Sequence, residues 1–157
     1  MKKMTFANNL TYIFDAKRAG AKYTLDGEHW MNHGEYCECL AKSVLGYEPT
    51  KDANTAFNAG EDIPELNASV KSWNAGLTDM KLGATRAEYV EKFFSMSNPE
   101  TVYLWVYDYA DMVDLWFMDA TEFRAFVEAV GNWDEHCKKI RFKTCNNKIN
   151  LWLESML

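Results

Sequence analysis

No stretch of this chain approaches the roughly 20 consecutive apolar residues that a membrane span requires, so no transmembrane segment is expected. Basic residues are in deficit: 17 Lys and Arg against 23 Asp and Glu leave a formal charge of −6. That excludes a protein that coats nucleic acid indiscriminately, because phosphate neutralisation needs a basic surface. It does not exclude a site built from clustered acids. A signal peptide is not expected either. Met1-Lys2-Lys3-Met4 is basic, but Asn8 and Asn9 interrupt the apolar stretch that follows. The four cysteines, Cys37, Cys39, Cys137 and Cys145, lack secretory context, which points to free thiols in a reducing cytoplasm. The sequence also lacks internal repeats, low-complexity tracts and linkers.

What is present suits one globular domain spanning 1–157. Hydrophobic residues make up 48% and aromatics 15% of the 157 residues, enough for a sizeable core. Phe6, Leu10, Ile13 and Phe14 recur at helical spacing and predict a helix over Phe6–Lys17, closed by Gly20. Cys37, Leu40, Ala41 and Val44 form an apolar stripe over Gly34–Leu45, started by Asn32 or His33 and ended by Gly46. Thr85-Arg86-Ala87-Glu88 is a capping box that opens a helix, broken at Asn98-Pro99. The β-branched and aromatic runs Thr101–Tyr109 and Met112–Met118 read as an antiparallel pair of strands. Asp119 to Glu122 starts another helix with Phe123, Phe126, Val127 and Val130 buried. A strand over Lys139–Thr144 and a short terminal helix follow. The order is α/β, a mixed central sheet flanked by helices.

The chemistry-bearing stretch is Phe57–Trp73, F-N-A-G-E-D-I-P-E-L-N-A-S-V-K-S-W. Pro64, Gly60 and Asn67 oppose a helix. The alternation from Asn67 to Lys71 predicts a strand, with Asp62 ending the strand before it. Ser69 and Lys71 then share one face and Val70 points into the core. An ordinary edge hairpin with its acids and lysine in water has the same spacing. Upstream, Glu35 and Glu38 lie beside the apolar stripe of the Gly34–Leu45 helix. His29, His33 and Cys37, spaced by four, would share a helix face, but Gly34 interrupts it and no second cysteine pair completes a zinc pattern.

A helix glutamate, a strand aspartate and an x-Lys strand, in that order, resemble the PD-(D/E)XK nuclease superfamily, the restriction-endonuclease-like fold. The resemblance runs from about Gly34 to Tyr107. It implies a mixed sheet flanked by helices and a nuclease that hydrolyses DNA with Mg²⁺ or Mn²⁺. It implies Asp62 as metal ligand, Glu38, Glu35 or Glu65 as its helpers, and Lys71 as the residue that steadies the attacking water or developing charge. Ser69 stands where the family has its second acid, and the link from Asp62 to Ser69 is short. The partners implied are DNA and, as one option, a second copy of the chain, with no membrane. Two other readings remain open: a non-catalytic DNA- or protein-binding module on this fold, and an unrelated α+β interaction protein. Lys17, Arg18 and Lys22, and Lys138, Lys139, Arg141, Lys143 and Lys148, are locally basic and suit either phosphate contact or solvated surface.

Overall fold

The runs richest in β-branched and aromatic residues become the two inner strands of a four-stranded sheet. The computed structural model describes residues 1–49, 61–73, 77, 82–142 and 147–157. Its strands are β1 (Lys2–Ala7), β2 (Ile13–Asp15), β3 (Lys22–Thr24), β4 (Trp30–Met31), β5 (Ala68–Ser72), β6 (Val102–Asp108), β7 (Met112–Met118), β8 (Asn132–Asp134) and β9 (Lys139–Arg141). Its helices are α1 (His33–Val44), α2 (Arg86–Met96), α3 (Ala120–Val130) and α4 (Asn147–Ser155). The main sheet has the order β1-β7-β6-β5. β6 and β7 pair antiparallel, β1 pairs antiparallel with β7, and β5 runs parallel to β6 through the crossover helix α2. The architecture is therefore mixed α/β, as the sequence predicts. β2-β3-β4 and β8-β9 form two small separate sheets.

Strand alternation splits the core into two halves. Tyr103 and Trp105 of β6 and Trp116 and Met118 of β7 pack with Tyr89, Phe123, Phe126 and Val127. Leu104, Val106, Val113 and Leu115 pack on the opposite side with Tyr36, Cys37, Leu40 and Ala41 of α1. Helices thus cover both faces, and the inner strands need apolar side chains at successive positions. On the first side Tyr103 stacks on Phe123 with centroids 4.1 Å apart, and Trp105 meets Phe126 at 5.0 Å.

The helix ends are fixed by side chains. Asn32 and Glu35 form a capping box on α1, and Asp119 and Glu122 form one on α3. At the other end of α3, the Arg86 guanidinium donates to the carbonyls of Gly131 (3.0 Å), Val127 (2.9 Å) and Glu128 (2.8 Å). A cation at a helix C-terminus meets both the unpaired carbonyls and the negative end of the dipole. Because Arg86 opens α2, it also ties α2 to α3. Arg86→Ala is expected to cost about 1.5–3 kcal/mol, the range for hydrogen bonds to a charged group. Urea titration followed by far-UV circular dichroism measures it. A loss under about 0.5 kcal/mol would mean that this tie contributes little.

The amino-terminal expectation is corrected. In place of a helix over Phe6–Lys17, the chain forms the end of β1, a loop and β2. Lys2 to Ala7 fill the free edge of β7 in register Lys2 opposite Phe117 to Ala7 opposite Met112. Asn8 then turns the chain: its Oδ1 accepts the Leu10 N–H at 2.9 Å and its amide donates to the Ala110 carbonyl at 2.9 Å. The helical spacing was coincidental, since Phe6 and Leu10 pack on the core while Ile13 and Phe14 remain 56% and 49% exposed. The start of the hairpin at 57–60, most of the loop expected after Glu48, and Asn74, Lys81, Lys143 and Cys145 lie outside the described residues.

Candidate functional site

The site is built on the outer edge of β5. Ile63 and Ala68 exchange two backbone hydrogen bonds of 3.1 Å across a tight connection. That connection is a 3₁₀ turn over Pro64–Leu66, closed by Asn67 in the left-handed region at φ 55°. Asparagine tolerates this conformation better than most residues. Asn67 is also anchored from outside, its amide donating to the Glu100 carbonyl at 3.1 Å. Two residues along β5, the next amide facing the same way is that of Val70. It donates to Asp62 Oδ2 at 2.7 Å. The carboxylate takes the place of the backbone carbonyl that a longer neighbouring strand would supply. One oxygen of Asp62 is thereby fixed.

Alternation along β5 does the rest. Val70 packs with Tyr36, Cys37 and Leu40 of α1. Ser69 and Lys71 stand opposite Tyr103 and Trp105 of β6, on the side that α2 covers. The Lys71 amine lies 3.5 Å from the Leu77 carbonyl. Burial pushes its pKa below the ordinary lysine value, while the negative charges of Asp62 and Glu38 pull it back up. Glu38 reaches this point from α1, half-buried beside the stripe that fastens the helix to β5.

These groups open onto one cavity of about 420 Å³. Glu38, Glu61, Asp62, Ser69 and Lys71 line its charged part. The structure therefore gathers Asp62, Lys71, Ser69 and Glu38. It does not bring in Glu35 or Glu65. Glu35 sits one helical turn earlier, with its carboxylate folded back toward the Asn32 N–H at 3.4 Å to complete the capping box. Glu65 is exposed on the 3₁₀ turn and does not line the cavity. Glu61 takes their place. Its only signal in the sequence was its position next to Asp62. The other wall, from Phe93 to Tyr103, comes from the end of α2 and the start of β6, and no motif marked it.

Among the described residues, no group of three or more His, Cys, Asp or Glu side chains is gathered to hold a metal ion. The donors that do face the cavity are carboxylates, hard oxygen ligands. Mg²⁺ is commonly held by one or two carboxylates, with water and substrate phosphate completing the shell. The chemistry of the donor set fits that ion. It does not fit a closed zinc site, which takes four nitrogen or sulfur ligands. His29, His33 and Cys37 form no joint site. His33 lies 3.6 Å from Cys37 Sγ, but His29 sits in a separate turn, 2.5 Å from Asp26 Oδ2.

The two histidines provide a check on the geometry around α1. The Asp26 carboxylate raises the pKa of exposed His29 above the ordinary histidine value. Burial lowers that of His33, whose ring lies 4.2 Å from Trp73. Titration by NMR should therefore show His29 deprotonating at higher pH than a free histidine and His33 at lower pH. The reverse order would mean that the two rings are not so placed.

The basic clusters are already engaged in part. Arg18 lies 3.8 Å above the Trp30 ring, Arg141 pairs with Asp134 at 3.0 Å, and Lys138 pairs with Glu135. No helix among the described residues is long and apolar enough to cross a membrane. No protein-family model, curated protein or solved structure matches this chain.

Proposed function

We propose that the chain is a divalent-metal-dependent nuclease of the PD-(D/E)XK type that hydrolyses DNA phosphodiester bonds. One observation carries this reading: Glu38 from α1, Asp62 before β5 and Lys71 on β5 line a single cavity. Asp62, with Glu38 or Glu61 as a second carboxylate, would hold Mg²⁺ or Mn²⁺, which when bound would supply a water of lowered pKa and polarise a phosphate oxygen. Asp62 is oriented for this by the Val70 amide. The Lys71 ammonium would offset the charge that develops on the phosphate. Ser69 offers a hydroxyl that donates to a phosphate oxygen.

Cleavage of plasmid and single-stranded DNA under Mg²⁺ and under Mn²⁺ tests the reading, with Lys71→Ala as control. Lys71→Met should lower kcat by about 10²–10³, the cost of removing one preorganised donor. Its Tm should not fall, because exchanging a half-buried charge for an apolar group of similar size is often neutral or stabilising. Active Lys71→Met protein would remove lysine from the mechanism. The competing reading, a non-catalytic DNA- or protein-binding module on this fold, is favoured by Ser69, which is a weaker ligand than an acid. Absence of cleavage under Mn²⁺ on every substrate would select it.

A further inference from the structure

The cavity beside β5 has two chemically different ends. One end carries the carboxylates and the Lys71 amine. The other, apolar end is lined by Leu77, by Phe93 and Met96 of α2, and by Tyr103 of β6. Tyr103 is buried and stacked on Phe123, so Phe93 and Met96 are the apolar side chains open to a ligand. About 420 Å³ lies within the size range of small-molecule pockets, and a cation with one phosphate would leave the apolar end unfilled. The rim of that end is polar. Asn98 Oδ1 accepts the Glu100 N–H at 2.9 Å, which leaves the Asn98 amide as a donor. Ser97, whose hydroxyl donates to the Phe93 carbonyl at 2.6 Å, can still accept, and Thr101 adds a second hydroxyl. The Phe93 ring with hydrogen-bonding groups beside it suits a flat ring with a polar perimeter.

We propose that the apolar end is a stacking subsite for one unpaired nucleobase next to the scissile phosphate, so that the preferred substrate is a single strand or frayed end. This rests on the nuclease reading given above. A base stacked and paired within a duplex cannot enter such a pocket. Charge points the same way. The charged lining has three carboxylates against one amine, in a chain of net charge −6. Duplex binding strengthens with each phosphate neutralised, and this lining offers little of that. A single strand depends less on that neutralisation per phosphate than a duplex does, and stacking on an aromatic side chain adds about 1–3 kcal/mol per base. Phe93 is half-buried and Met96 is 66% exposed, so both are in reach of an incoming strand.

The test uses one labelled 20-nucleotide strand, alone and annealed to its complement, under Mn²⁺. The wild type should cut the single strand and duplex ends at least 10-fold more efficiently than the duplex interior. Phe93→Ala should raise KM for the single strand about 5- to 100-fold with kcat within a few fold, and Phe93→Tyr should restore it. Met96→Ala, at an exposed position that folding does not depend on, should raise the same KM severalfold. Fluorescence anisotropy of the single strand with Lys71→Ala protein reads binding apart from cleavage. Equal cutting of strand and duplex interior would overturn the subsite while the nuclease reading stands. So would an unchanged KM in both Phe93→Ala and Met96→Ala. Single-strand binding weakened by the Phe93 change, with no cleavage anywhere, would uphold the subsite and overturn catalysis. No single-strand binding would overturn the subsite.

Discussion

Asp62→Asn is expected to yield a folded protein that no longer binds Mn²⁺ measurably by calorimetry and whose cleavage rate falls on the order of 10³-fold. The substitution separates two jobs done by one side chain. The asparagine carbonyl can still accept the Val70 N–H that Asp62 Oδ2 accepts at 2.7 Å, so the edge of β5 remains closed. The negative charge that holds a cation is lost. Asp62→Ala removes both. It should lose the same activity and also about 1 kcal/mol of stability, or roughly 2–4 °C in Tm. Unchanged Mn²⁺ binding in Asp62→Asn would place any metal elsewhere. Unchanged Tm in Asp62→Ala would show that the carboxylate does not support the strand.

Trp105→Ala should be the most damaging single change to the fold, costing about 3–5 kcal/mol, or on the order of 10 °C in Tm. The ring is fully buried among Phe126, Phe142 and Tyr107 at the middle of β6. Close-packed neighbours do not collapse fully into the space an indole leaves. Trp105 also stands opposite Lys71 in the parallel ladder. The damage should therefore reach the cavity, lowering activity even at temperatures where the protein remains folded. Trp105→Phe, which keeps most of the volume, should recover much of both. A loss below about 1 kcal/mol for Trp105→Ala, measured by urea unfolding, would contradict the packing described.

The sequence revealed those parts of the fold that local chemistry decides. Asp119 and Glu122 announce α3, and the unbroken apolar run of 102–107 suits a sheet covered on both faces. β1 was hidden because its conformation is set by β7, far along the chain, against an apolar spacing that suits a helix equally well. Strands of two or three residues such as β2, β3 and β4 are too short to show a period. At the site, the strand period placed Ser69 and Lys71 together, and the helix carrying Glu38 packs against the same strand. Glu35 and Glu65 were equal candidates by residue type. Only the capping box at Asn32 and the exposed position of Glu65 on the 3₁₀ turn separate them from Glu61.

The pairing of β1 with β7 has a consequence for synthesis on the ribosome. Thr5 hydrogen-bonds to Asp114, 109 positions away, so β1 is made well before its partner β7. Translation at about 5–20 residues per second leaves β1 without that partner for roughly 5–20 s. Such distant contacts slow folding, because loop closure must precede the pairing that rewards it. Moving Lys2–Ala7 behind the carboxyl terminus by circular permutation would shorten the wait and should reduce aggregation of the newly made chain.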